Sequence, residues 1–335
     1  MKLDAIVVQP QPGEVESLGL AVRAVAAGAG GTISYDAFEA ALGLSLTALA
    51  RPADPSPAAW SAYGCDAFLE PAARLFGLHV RDLHPPEVGL DMLAAEEFPQ
   101  HFELSHRPLI LRALENGQPV LAWGGWEGEA APTWGVITAM KSEQFRGVAP
   151  HRSGLIRLAG PAAQCYVVEV CEPRRPADEE LFAAMIGHAR AYLCAGRLAQ
   201  HGEGRPKPTA GLLTGPAVFE AWLQWLAQQR PESGPSPARE AHCNYARFLS
   251  AARLSAARVL DGLEVPHPPA RAALVDAIVE TCEVLAGELW SARCEDRLVA
   301  LWRTVDGHEV LREELQAARA AETRIAESVC RLADE

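Results

Sequence analysis

Apolar residues follow two rhythms over the first 170 positions, and each change of rhythm marks an element. An alternating run at 4–8 predicts a short strand. Leu18, Val22, Val25 and Ala26 then fall at helical spacing, which predicts a helix over 17–27 that the glycines at 28–31 stop. Ser34 is placed to cap a second helix reaching Leu42, with Asp36 in its first turn. Pro52, Pro55 and Pro57 mark an irregular loop, a helix over 67–76 stops at Gly77, and 78–83 reads as extended. Leu109, Ile110, Ala113 and Leu114 share one helical face, closed by the left-handed cap signal Asn116-Gly117. Five extended runs follow, at 119–123, 134–140, 145–148, 155–158 and 165–170, joined by short polar or Gly/Pro turns. Connections that short predict antiparallel pairing.

After Pro173 the extended runs stop. Leu181, Phe182, Met185, Ile186, Ala189 and Leu193 predict a helix over 178–198, and a polar connector follows at 201–209. Thr214-Gly215-Pro216 opens a helix carrying Phe219, Trp222, Trp225 and Leu226. Three longer helices complete the pattern, at 238–260, at 269–303 with a break near Ser291, and at 307–332. The expected architecture is α+β, a helix-plus-antiparallel-sheet domain over 1–173 followed by an all-helical domain over 178–335.

Composition narrows the function. With 335 residues, 49% hydrophobic and 22% charged, the chain can bury a large core, and its formal charge of -13 disfavours a nucleic-acid backbone as partner. A peptide or small molecule is the expected ligand. The N-terminal apolar run is too short for a signal peptide or a membrane span, so no membrane association is expected and the cytoplasm is the expected location. Eight cysteines without a CxxC pair read as free thiols of a reducing compartment. No cofactor or metal site is expected.

The chemically most distinctive stretch is the Gly-rich turn of 121–134, which carries Trp123, Trp126 and Trp134. Glycines let a backbone approach a ligand and indoles supply apolar area with one donor each, although tryptophans packed on a hairpin core would look the same. His101 and His106 flank Phe-Glu-Leu-Ser at a spacing that suits neither a helical metal pair nor a zinc knuckle, so they read as surface histidines. His242 and Cys243, adjacent on a helix, point to different sides, and Cys243 reads as core. The glycines at 28–31 follow a helix rather than a strand and read as a helix stop, not a phosphate loop.

Three stretches, ESLGLAVRAVAAGAGGTIS (16–34), LILRALENGQPVLAWGGW (109–126) and TWGVITAMKSEQFRG (133–147), carry a resemblance. Their order resembles the papain-like fold of bacterial double-glycine-leader peptidases, and more closely the butirosin-biosynthesis protein H type of N-terminal domain. The helical region, with AHCNYARFLSAARLSAARVL (241–260), looks like the part attached to such domains. The resemblance implies a cysteine opening the first helix, a histidine opening the strand after the central one, and an acid or amide partner a little later. At those positions this chain has Ser17, Leu18 or Gly19, then Thr133 or Trp134, and no Asp or Asn near 148–150. A papain-like reaction without thiolate and imidazole lacks its nucleophile and its general acid.

The leading expectation is therefore a catalytically degenerate papain-like protein, binding a peptide or small metabolite in a cleft that includes Gln9, Ser17, Trp123, Trp126 and Trp134, within a biosynthetic or regulatory assembly. Ser17 is a substitute nucleophile or, more simply, a helix N-cap, and Cys65 is the thiol that the next helix would have to bring into the cleft. The alternatives are an active acyltransferase or amide hydrolase of the same superfamily with an unrecognised nucleophile, and a helical module for oligomerisation or partner docking.

Overall fold

A computed structural model describes residues 2–50, 68–83, 97–129, 132–193, 213–289 and 295–334. The fold is α+β, with an antiparallel sheet and a helical C-terminal region. Its described residues form two compact units, one of 2–38, 68–83, 97–129 and 132–176, the other of 39–50, 177–193, 213–289 and 295–334. The helical unit thus recruits a segment from near the start of the chain, 39–50, which hydrophobic pattern alone assigns to the first half.

In the first unit, helix α1 (Ser17–Gly28) and helix α2 (Tyr35–Ala41), which crosses the division between the units, precede the sheet. Ser34 caps α2 through its Oγ, which accepts from the N–H of Ala37 at 3.4 Å. Helix α3 (Leu69–Leu75) leads into strand β1 (Leu78–Asp82), and helix α4 (Arg107–Glu115) into β2 (Val120–Trp123). Strands β3 (Trp134–Lys141), β4 (Gln144–Ala149), β5 (Arg152–Arg157) and β6 (Gln164–Val170) follow. They form a six-stranded sheet in the order β1-β6-β2-β3-β4-β5, all pairs antiparallel.

Side chains alternate across this sheet, so each face has its own core. One face packs Val120, Ala122, Ile137, Cys165 and Val167 against Ile110 and Ala113 of α4, with Trp126 in the same cluster. Gly135 makes that possible, because a Cβ there would meet the Trp126 ring at 2.5 Å. α1 packs over β3 and β6. Trp123, Trp134, Gln164 and Tyr166 belong to the face opposite Trp126, since Trp123 is in register with both Trp134 and Gln164.

The second unit contains α5 (Asp178–Leu193), α6 (Pro216–Gln228), α7 (Pro237–Gly262), α8 (Pro269–Glu288), α9 (Glu295–Trp302) and α10 (Val305–Asp334). Pro216, Pro237 and Pro269 each open a helix where an N–H would have no acceptor. Two-residue strands, Leu49–Ala50 and Leu213–Thr214, pair antiparallel beside them. Arg253 of α7 and Glu322 of α10 form a fully buried ion pair at 2.6 Å. Glu322 Oε1 accepts from the N–H of Ala48 at 3.1 Å and Arg253 Nη1 donates to the Ser45 carbonyl at 2.8 Å, which fixes the 39–50 segment to the helices.

Four expectations change. Residues 4–8 form no strand: Leu3–Ala5 is a 3-10 turn, while Ile6 and Val8 are buried and Val7 is exposed. Alternation reports which side chains are buried, and no neighbouring strand supplies the ladder. Ser17 is not the cap of α1; Glu16 is, with Oε2 accepting from the N–H groups of Leu18 and Gly19. His106 is buried rather than exposed, stacked on Phe102 at 5.5 Å, because a π-helical turn (Phe102–His106) rotates it inward before α4. On α7 the buried member of the adjacent pair is His242, and Cys243 is half-buried. The remaining predicted elements that fall on described residues lie within a few residues of the observed ones, while the loop at Pro52, Pro55 and Pro57, positions 194–198, the connector at 201–209 and the break near Ser291 lie outside the described residues.

Candidate functional site

The N-terminus of α1 and the first residue of β3, 117 residues apart in sequence, meet directly. The N–H of Trp134 donates to Ser17 Oγ at 3.0 Å. Ser17 is 6% exposed and Trp134 fully buried. Trp134 has this N–H to give because β2 pairs along its other edge, while its register with β4 starts only at Val136. Of the positions at which the resemblance would place a thiol (Ser17, Leu18 or Gly19) and an imidazole (Thr133 or Trp134), Ser17 and Trp134 are in contact, through a hydroxyl and a backbone amide.

Among the described residues no basic side chain hydrogen-bonds to Ser17 Oγ. The amides of Leu18 and Gly19, which could stabilise an oxyanion beside a residue at that position, already donate to Glu16 Oε2. The N–H of Glu16 donates in turn to Tyr35 Oη at 2.9 Å. Among the described residues the thiols do not compensate: Cys165 points into the opposite core, and burial, then the charge of Asp82, push its thiol far above the ordinary range. Cys65 lies outside the described residues.

The predicted tryptophan cluster divides. Trp123 and Trp134 are neighbours, with ring centroids 6.5 Å apart, and Trp134 also meets Tyr166 at 6.0 Å. Trp126 lies in the other core, its indole N–H donating to the Ala122 carbonyl at 3.2 Å. All three indoles are 9% exposed or less, so none offers a ligand an open stacking face. Gln9 is exposed and lines a separate cavity of about 220 Å³ between residues 3–9 and the sheet, walled by Ile6, Val8, Val148 and Leu155, with Thr138 and Arg152 as polar members.

Three further polar residues escape the sequence pattern. Gln164, 1% exposed, lies in register beside Trp123, and neither its amide oxygen nor its nitrogen has a hydrogen-bond partner. Glu129 closes the Gly-rich turn, its carboxyl accepting from the N–H of Gly125 at 2.6 Å, of Trp126 at 3.2 Å and of Thr133 at 3.3 Å. His151 stands after β4, with Nδ1 3.4 Å from Thr133 Oγ1 and Nε2 3.3 Å from the Glu127 carbonyl. A carbonyl only accepts, so Nε2 donates to it, and the neutral tautomer that this selects has Nδ1 as the acceptor facing Thr133. The sequence signal for His151 is its position just past 148–150, where the resemblance implies an acid or amide.

No group of His, Cys, Asp and Glu side chains among the described residues suits a metal ion, and none of the described helices is long and apolar enough to cross a membrane. Compared with models of protein families and with curated proteins, the chain matches none.

Proposed function

We propose that the chain is a catalytically degenerate papain-like protein that binds a peptide or small metabolite. The observation that carries this reading is the hydrogen bond from Trp134 N–H to Ser17 Oγ: the helix-start and strand-start positions meet, yet a structural contact occupies the place of a reacting pair. The N–H groups of Glu16, Leu18, Gly19 and Trp134 around the start of α1 all donate to side chains, to Tyr35 Oη, Glu16 Oε2 and Ser17 Oγ, which favours rigidity over turnover. For the ligand, the cavity beside Gln9 is the candidate in this unit, with apolar walls and a few polar groups at its edge.

A second reading, an active acyl-transfer enzyme, draws support from Thr133 and His151. A hydroxyl faces the lone pair of an imidazole whose other nitrogen is oriented by a carbonyl, the order of parts a nucleophile and base require.

One experiment separates the two. The full chain is treated with a fluorophosphonate and with iodoacetamide, and labelled residues are mapped by mass spectrometry. The degenerate protein gives no stoichiometric label on Ser17 or Thr133, while dipeptide or metabolite mixtures raise its melting temperature and Val148→Phe, which fills the cavity, abolishes the rise. Stoichiometric labelling of Thr133 that disappears in His151→Ala overturns it in favour of the enzyme.

A further inference from the structure

Trp134 on β3, Trp123 on β2 and Gln164 on β6 are successive cross-strand partners, so their side chains form one row on the sheet face over which α1 packs. The row begins at the N-terminus of α1, where the Trp134 amide meets Ser17 Oγ. It ends at Gln164, the first residue of β6, which stands two residues beyond Tyr166, the last position of the ladder with β1. Among the described strands, β2 alone borders Gln164.

Gln164 is 1% exposed, and its side-chain oxygen and nitrogen are both buried without a hydrogen-bond partner. Trp123, 9% exposed, carries a third orphan, its indole nitrogen. Burying an amide that makes no hydrogen bond works against folding, and a long side chain gives up rotamer freedom besides. A methionine would fill the same space without the desolvation cost. Trp126 on the other face is the contrast, because its indole N–H is satisfied by the Ala122 carbonyl at 3.2 Å. In the row, two uncompensated polar side chains instead stand side by side, in register, next to the contact of Ser17 with Trp134. Side chains left unsatisfied in this way mark a place where a polar group from outside the fold completes them.

The unmet capacity selects the group. Gln164 offers an acceptor and two donors in one plane, and Trp123 adds one donor. A carboxylate would meet the donors but oppose the Gln164 oxygen, and an ammonium would meet that oxygen alone. A primary carboxamide presents an oxygen and an N–H along one edge, so it pairs with the Gln164 amide through two hydrogen bonds while its oxygen also accepts from the indole. We propose that Gln164 and Trp123 form a binding point for a primary carboxamide, as on an asparagine or glutamine side chain or an amidated chain end. Trp123, the more exposed of the two, is the side chain that moves to admit it. This binding point shares no residue with the lining of the cavity beside Gln9 and needs no role for Ser17.

The test titrates the full chain, by ligand-observed NMR, with three probes of one shape: isovaleramide, isovalerate and methyl isobutyl ketone. The amide binds, the ketone, which has no N–H for the Gln164 oxygen, binds about tenfold more weakly, and the carboxylate does not bind. Gln164→Met keeps the shape and removes the orphan atoms, so it raises the melting temperature by about 2–4 °C while weakening the amide about tenfold or more. Trp123→Phe weakens the amide about threefold to tenfold. A Gln164→Met protein that melts at or below the parent temperature overturns the proposal, because the Gln164 amide then has a structural partner such as an internal water. Equal binding of amide and ketone, or no binding of the amide by the parent, overturns it as well. So does an amide response that Val148→Phe abolishes and Gln164→Met leaves unchanged, a result that would keep the reading of the cavity beside Gln9 intact.

Discussion

The two units bury polar groups in opposite ways. The contact between Ser17 and Trp134 is neutral, one hydroxyl accepting one amide beside the buried Glu16 carboxyl, and losing the hydroxyl removes that acceptor. In the helical unit Arg253 and Glu322 are both fully buried and charged, and their remaining donors and acceptors are aimed at the backbone of 45–48. The Ser17–Trp134 contact carries no charge that burial would have to desolvate. A desolvated ion pair is tolerated only where several hydrogen bonds satisfy it, and here those bonds hold an N-terminal segment to helices more than 200 residues later.

That difference sets the order of expected effects. Glu322→Ala leaves the Arg253 guanidinium buried and uncompensated, and chemical denaturation is expected to show a loss of about 3–5 kcal/mol. The double variant Arg253→Met, Glu322→Leu removes both charges and is expected to be less destabilised than either single change. A loss under about 1 kcal/mol for Glu322→Ala would mean that the pair is not the anchor described.

The next effect is a pH dependence in the same unit. His242 is 2% exposed among Trp222, Tyr245, Trp302 and His308, and burial, then the proximity of His308, lower its pKa to about 3. A base whose pKa is lower folded than unfolded binds its proton first in the unfolded chain. Its contribution is therefore intact above the ordinary imidazole value of 6.5 and declines as pH falls below it, until about 3. Each pH unit in that window costs about 1.4 kcal/mol, or roughly 2 kcal/mol by pH 5. His242→Phe is expected to flatten the stability profile between pH 7 and pH 5, roughly the range over which an ordinary histidine titrates. An unchanged slope would assign the acid sensitivity elsewhere.

The smallest effect belongs to the first unit. Ser17→Ala leaves the buried N–H of Trp134 without its acceptor and is expected to cost about 1–2 kcal/mol in the denaturation midpoint, while Ser17→Thr, which keeps the oxygen, recovers part of it. A Ser17→Ala protein as stable as the parent would show that water or a shifted side chain satisfies that amide.

Much of this was legible in the chain itself. Helical spacing located α1, α4 and the long helices, and the glycine stop after α1, the cap at Ser34 and the short turns between β2 and β6 followed from local backbone preferences. The contact of Ser17 with Trp134 was not legible in the sequence, since no local rule links positions 117 residues apart. Local pattern also misplaced the cap of α1, because Glu16 and Ser17 are both competent acceptors, and a tertiary donor, the Trp134 amide, claims the serine.

What the sequence determined by itself was most of the longer helices and strands and the antiparallel sense of the sheet. Tertiary structure alone decided which face each side chain occupies. The pleat sends Trp123 and Trp134 to one side of the sheet and a turn returns Trp126 to the other, so residues that are neighbours in sequence share no site. It also decided that 39–50 belongs with the helices, because the cost of burying Arg253 and Glu322 is met by hydrogen bonds to that segment's backbone, and backbone groups carry no sequence signal.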